Sequence, residues 1–174
     1  EAGAINNEIY ARHITADGEV EWGDENGLLI CSFFPDTSNT RIIANIEPDG
    51  DGGCLFAWHD PLNPIDSLQL GFYGQHVSNG GEFLWGENGV RLGNSLYPYW
   101  PLITGDNLGG FFVKIEDGQH QHISADGELW DEPLVNNFDG WTFNQVSSGQ
   151  EGEIIAYMSF RWDFFSNHAI NKLS

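Results

Sequence analysis

One phrase occurs three times in this chain. It begins His-Ile/Val-Ser/Thr, crosses two or three turn residues, and closes on Glu and Trp. The copies run His13–Trp22, His76–Trp85 and His122–Trp130, with first residues 63 and 46 positions apart. Recurrence at intervals of this size is the signature of a repeat architecture, in which similar units stack on one another. The unequal spacing predicts that the units share a frame and differ in their loops.

The middle of each copy is a turn: Asp17-Gly18, Asn79-Gly80-Gly81, Asp126-Gly127. These pairs reach the positive φ angles of tight hairpins at little steric cost. The flanks are β-branched and aromatic, as strands prefer. Each copy therefore predicts two strands joined by a hairpin. A short apolar run follows, at Leu28–Cys31, Val90–Leu92 and Leu134-Val135, and predicts a third. Another strand is expected before the phrase, opened by an acidic, Gly-rich turn: Asp49–Trp58, Gly105–Ile115 and Gly149–Tyr157.

The expectation is an all-β chain of β-propeller-type, four-stranded antiparallel blades, each about 45–60 residues long. The divisions fall at 1–39 (partial blade), 40–96 and 97–140 (whole blades) and 141–174 (partial blade). That is about three blade-equivalents, offset at both ends. Such a set fits part of a larger propeller, completed by the remainder of a longer chain or by other copies.

Composition narrows the partners. The formal charge is −20, from 26 acids against 6 bases. Phosphate backbones are held by Lys and Arg, so nucleic acid is excluded as an expectation, and anionic membrane surfaces are disfavoured. No stretch approaches the ~20 apolar residues that span a bilayer. The chain opens Glu-Ala-Gly-Ala, without the basic and apolar regions of a signal peptide, so an export signal would have been removed or would lie outside this sequence. Cys31 and Cys54 have no zinc-type spacing. Neighbouring blades would bring them close enough for a disulfide, or would bury them as two thiols.

The whole copy at Gly52–Asp60, Phe72–Val77 and Leu84–Leu92, with Trp22–Cys31 before it, resembles a known repeat. Secreted Bacteroidetes proteins, often exported by the type IX system, carry G-G-x-x-x-A-W-x-D and W-G-x-N-G elements in this order. Later copies depart from it: Lys114-Ile115-Glu116 stands where Ala-Trp-x-Asp belongs, and Trp130 is not followed by G-x-N-G. The resemblance implies a propeller-like scaffold living in secretion or on a cell surface, and fold alone implies no reaction.

The repeated Trp22, Trp85 and Trp130 are expected between blades, as large aromatic filler. Tyr97, Tyr99 and Trp100 gather in an inter-blade loop and are the candidates for ligand stacking, a glycan above all. Asp49, Asp51 and Asp60 are the candidate ligands for Ca²⁺, which takes loop oxygens. His13, His76 and His122 sit at equivalent places in different units and should not converge on one metal. No nucleophile elbow, H-E-x-x-H or phosphate loop occurs. The expected role is a non-catalytic scaffold or adhesion module. The alternatives are a carbohydrate-binding lectin or the accessory part of a secreted hydrolase.

Overall fold

The computed structural model describes residues 7–33, 44–60, 70–95, 101–116, 119–132, 134–135, 140–147 and 153–159. Among them the chain is all-β, with no helix. The strands are β1 (Asn7–Ala11), β2 (His13–Ile14), β3 (Val20–Glu21), β4 (Leu28–Phe33), β5 (Ala44–Pro48), β6 (Cys54–Asp60) and β7 (Leu70–Val77). They continue with β8 (Val90–Ser95), β9 (Leu102–Gly105), β10 (Phe111–Glu116), β11 (Gln119–Ile123), β12 (Leu134–Val135), β13 (Gly140–Ser147) and β14 (Glu153–Ser159). Two four-stranded antiparallel meanders, β5-β6-β7-β8 and β9-β10-β11-β12, are preceded by the pairs β1-β4 and β2-β3 and followed by β13-β14.

The meander is there, but its strands are not the expected four. The acidic turn does not open a unit. It joins a preceding strand to the Gly-Gly strand, with Pro48 facing Cys54 and Gly105 facing Phe111 across five-residue loops. At the other side, the second half of the phrase forms β3 in the first copy and only an isolated bridge in the later two, Val77 to Phe83 and Ile123 to Leu129. The reason is a side chain. Gln75 Oε1 accepts from the backbone N–H of Trp85 at 3.1 Å, and its Nε2 donates to the Gly86 carbonyl at 2.6 Å. The glutamine takes up backbone groups that a ladder would have used, the segment peels away, and β8 pairs directly with β7. Gln121 does the same to the Trp130 carbonyl at 3.3 Å.

The central meander is buried on both faces. Successive side chains of a strand point to opposite sides. Cys54, Phe56 and Trp58 pack with Ile30 and Val77, against Ile9, Ala11, Trp22 and Leu28 of the first pair of sheets. Leu55 and Ala57 join Phe72, Trp85 and Leu92, and meet Phe111, Val113, Ile115 and Ile103 of the next meander. The near-continuous apolar run Cys54–Trp58 follows from this double burial. Each fully buried Phe, Leu or Val contributes about 1.5–3 kcal/mol relative to exposure. The sheets are thus layered face to face, and no sheet closes on itself among the described residues.

Candidate functional site

The site grows from the turn between β5 and β6. Asp49 opens it, and its N–H donates to the Gly53 carbonyl at 3.3 Å. The carboxylate then folds back over the loop. Oδ1 accepts from the N–H of Asp51 at 2.7 Å and of Gly53 at 2.9 Å, and Oδ2 accepts from His76 Nε2 at 3.0 Å. A carboxylate can only accept, so Nε2 is the nitrogen that carries hydrogen in this bond. Both residues are buried, Asp49 7% and His76 6% exposed. A Cβ on Gly53 would stand 2.2 Å from the Val77 carbonyl, so only glycine lets the loop lie against β7.

The turn between β9 and β10 repeats each bond. Asp106 N–H donates to the Gly110 carbonyl at 2.9 Å, and Oδ1 accepts from Leu108 at 2.7 Å and Gly110 at 2.9 Å. Oδ2 accepts from His122 Nε2 at 2.9 Å. Asn107 takes φ +62° where Gly50 has +89°, a conformation asparagine tolerates better than most residues.

Burial alone would raise the Asp49 carboxyl. The hydrogen bond from His76 and the amides of Asp51 and Gly53 outweigh it and hold the group below its ordinary value. Nearby, Cys54 is pushed up to about 12, by burial and then by the Asp49 charge. Asp49 therefore sits as a buried anion whose oxygens are already committed to three N–H groups.

Between the two turns lies a cleft of about 510 Å³. Its lining includes Asp49, Asp51 and His76, with Asn79 and Leu84, and Asn107 and Leu108 from the next turn. Leu84 and Leu108 are exposed. No Lys or Arg lines it, so the lining offers no counter-charge to an anion. It offers oxygens, amide groups and two aliphatic side chains, a surface suited to an uncharged hydroxylated ligand or to a cationic one.

The residues singled out in the sequence fare differently. Tyr97, Tyr99 and Trp100 lie outside the described residues, as does the side chain of Asp60. Asp49 and Asp51 share one turn, but Asp49 is spent on the turn itself and on His76. No group of three His, Cys, Asp or Glu able to hold a metal occurs among the described residues. Cys31 and Cys54 belong to one apolar cluster and are not bonded to each other in this structure. The raised Cys54 thiol resists forming the thiolate that disulfide exchange requires. His120 is fully buried beside His122, whose Nε2 is bound to Asp106.

Sequence reasoning did not find the Asp–His pairs. The signal was present as Asp-x-x-x-Gly at Asp49–Gly53 and Asp106–Gly110, each followed by the phrase histidine. No family model, curated protein or solved structure matches this chain.

Proposed function

We propose that this chain is a non-catalytic scaffold or adhesion module of a secreted or cell-surface protein, built from propeller-type blade units. The observation that carries this reading is the fate of its chemistry-bearing groups. The Asp49 and Asp106 carboxylates, with His76 and His122, are occupied in holding turns, so the polar groups set in register by the phrase serve the frame. A catalytic base would instead need an oxygen or nitrogen open to substrate. The face-to-face layering of successive sheets supports reading each as a blade. The strongly acidic composition supports a soluble, extracellular life with no nucleic-acid partner.

The test is a screen of the chain against chromogenic glycosides, esters and peptides. No turnover is expected, and turnover abolished by Asp49→Asn would overturn the reading. The cleft favours the lectin alternative as the second choice, because its walls combine amide and carboxylate acceptors with Leu84 and Leu108 and carry no cation. Binding of a neutral oligosaccharide on a glycan array, lost on Asn107→Ala, would establish it over the scaffold.

A further inference from the structure

Trp22 and Trp85 each latch onto the following unit in one way. Trp22 Nε1 donates to the Asn79 carbonyl at 2.8 Å, and its ring covers Gly81, where a Cβ would stand 2.9 Å from Cδ1. Trp85 Nε1 donates to the Ala125 carbonyl at 2.8 Å, and its ring covers Gly127 at 3.0 Å. In both sockets the carbonyl belongs to the third residue after the phrase histidine and the glycine is the fifth.

The first copy holds the same socket, at Ala16 and Gly18. Its turn is already shaped. Thr15 N–H donates to the Glu19 carbonyl and Gly18 N–H to the Thr15 carbonyl, both at 2.9 Å, as their counterparts at Ser78 do. Gly18 has φ +86° against +82° at Gly81 and Gly127. Yet no described residue lies within 4 Å of where its Cβ would be. The socket is formed, and among the described residues it is uncovered.

The third knob is at the other end. Trp130 rests on His122 with ring centres 5.2 Å apart, as Trp85 rests on His76 at 5.6 Å. It is 42% exposed where Trp85 is 7% exposed, and no described residue accepts from its Nε1. The apolar surface follows suit. Val77 and Ile123, which lead into the second and third turns, are 0% exposed, whereas Ile14 in the first is 64% exposed. Val20, Tyr10 and Leu29 are exposed with it.

We propose that copies of this chain associate head to tail, Trp130 of one seating on the Ala16–Gly18 turn of the next, with Ile14 and Val20 covered at the same contact. The proposal rests on the stacked-unit reading, because it extends the contact between units to a contact between molecules. The two surfaces are unlike, so the interface is heterologous and generates a ring or an open filament rather than a two-fold dimer. The charge of −20 per chain opposes it. Added salt, which screens that repulsion, should strengthen association.

Sedimentation velocity of the 174-residue chain over a concentration series tests this. Mass should rise with concentration and with salt. Trp130→Ala and Ile14→Asp should each weaken association by about thirtyfold, the size of a hot-spot loss. Mixing the two variants should restore one dimer and nothing larger, since each retains the end the other lacks. That result also shows that both variants are folded. A chain monomeric throughout, or a dimer that survives both substitutions, sinks the proposal. The stacked-unit reading fails separately: it falls if Trp85→Ala leaves the unfolding of the wild-type monomer unchanged.

Discussion

His13 and His76 stand at the same place in the same ten-residue phrase, and they end in different surroundings. His76 reaches across its sheet to Asp49, 27 positions earlier, and the pair is buried beneath the next unit's turn. His13 turns to Glu21 on its own hairpin, at 2.9 Å, with half of that glutamate side chain in solvent. Both are histidine–carboxylate contacts of nearly equal length. Burial, not distance, separates them. An exposed pair is screened by water and holds little, while removing one member of a buried pair strands the other. The comparison teaches that the phrase specifies a hairpin wherever it occurs, and that it becomes a tie between strands only where the Asp-x-x-x-Gly turn is present to receive the histidine.

The largest expected effect breaks the buried tie. Asp49→Ala leaves His76 Nε2 and the amides of Asp51 and Gly53 without their acceptor, and should cost about 3 kcal/mol in urea unfolding. Asp106→Ala should behave alike. Glu21→Ala should cost less than about 0.5 kcal/mol. Equal losses at Asp49 and Glu21 would erase the distinction.

A smaller difference separates the covered and uncovered turns. Gly18 and Gly81 both take positive φ, so alanine strains either by about 1–2 kcal/mol. At Gly81 it must also displace the Trp22 ring, which should add about 1–2 kcal/mol. Thermal unfolding of the two variants reads the gap, and a variant at Gly18 that is the more damaged of the two would contradict it.

The smallest effect is on acid stability. Asp49 in the folded chain lies below the ordinary aspartate value of 3.8, so its contribution is complete above that value and is lost as pH falls through the lower, folded one. Urea midpoints stepped downward through this window should decline, and Asp49→Asn should flatten the decline. A decline of unchanged slope in Asp49→Asn would assign it to other carboxylates.

The all-β class was legible because Asp-Gly and Asn-Gly turns flanked by β-branched residues leave few alternatives. Three strands were missed, β5, β9 and β13. β5, Ala-Asn-Ile-Glu-Pro, alternates exposed and half-buried residues and ends in proline, so it lacks the apolar run that marked β6. One strand was expected and is nearly absent, because Gln75 supplies hydrogen bonds that hydrophobic pattern does not record. In the candidate site, the Asp49 loop stood out for its acids, but its carboxylate binds its own loop and a histidine from a distant strand. Composition near a residue does not reveal which way a side chain folds back. The third tryptophan of the phrase could be counted in the sequence, but its exposure could not, because that depends on what packs beside it.

Within each four-stranded sheet, every strand pairs with the one made just before or after it. The tryptophan latches close over much longer spans, 57 residues from Trp22 to Asn79 and 40 from Trp85 to Ala125. Short-range pairing is fast and closure over longer loops is slower. During synthesis a meander can therefore form as soon as its strands emerge, while its outer apolar face waits for the next unit's turn to arrive. Assembly would advance unit by unit from the N-terminal end, each latch recording that the following sheet has folded.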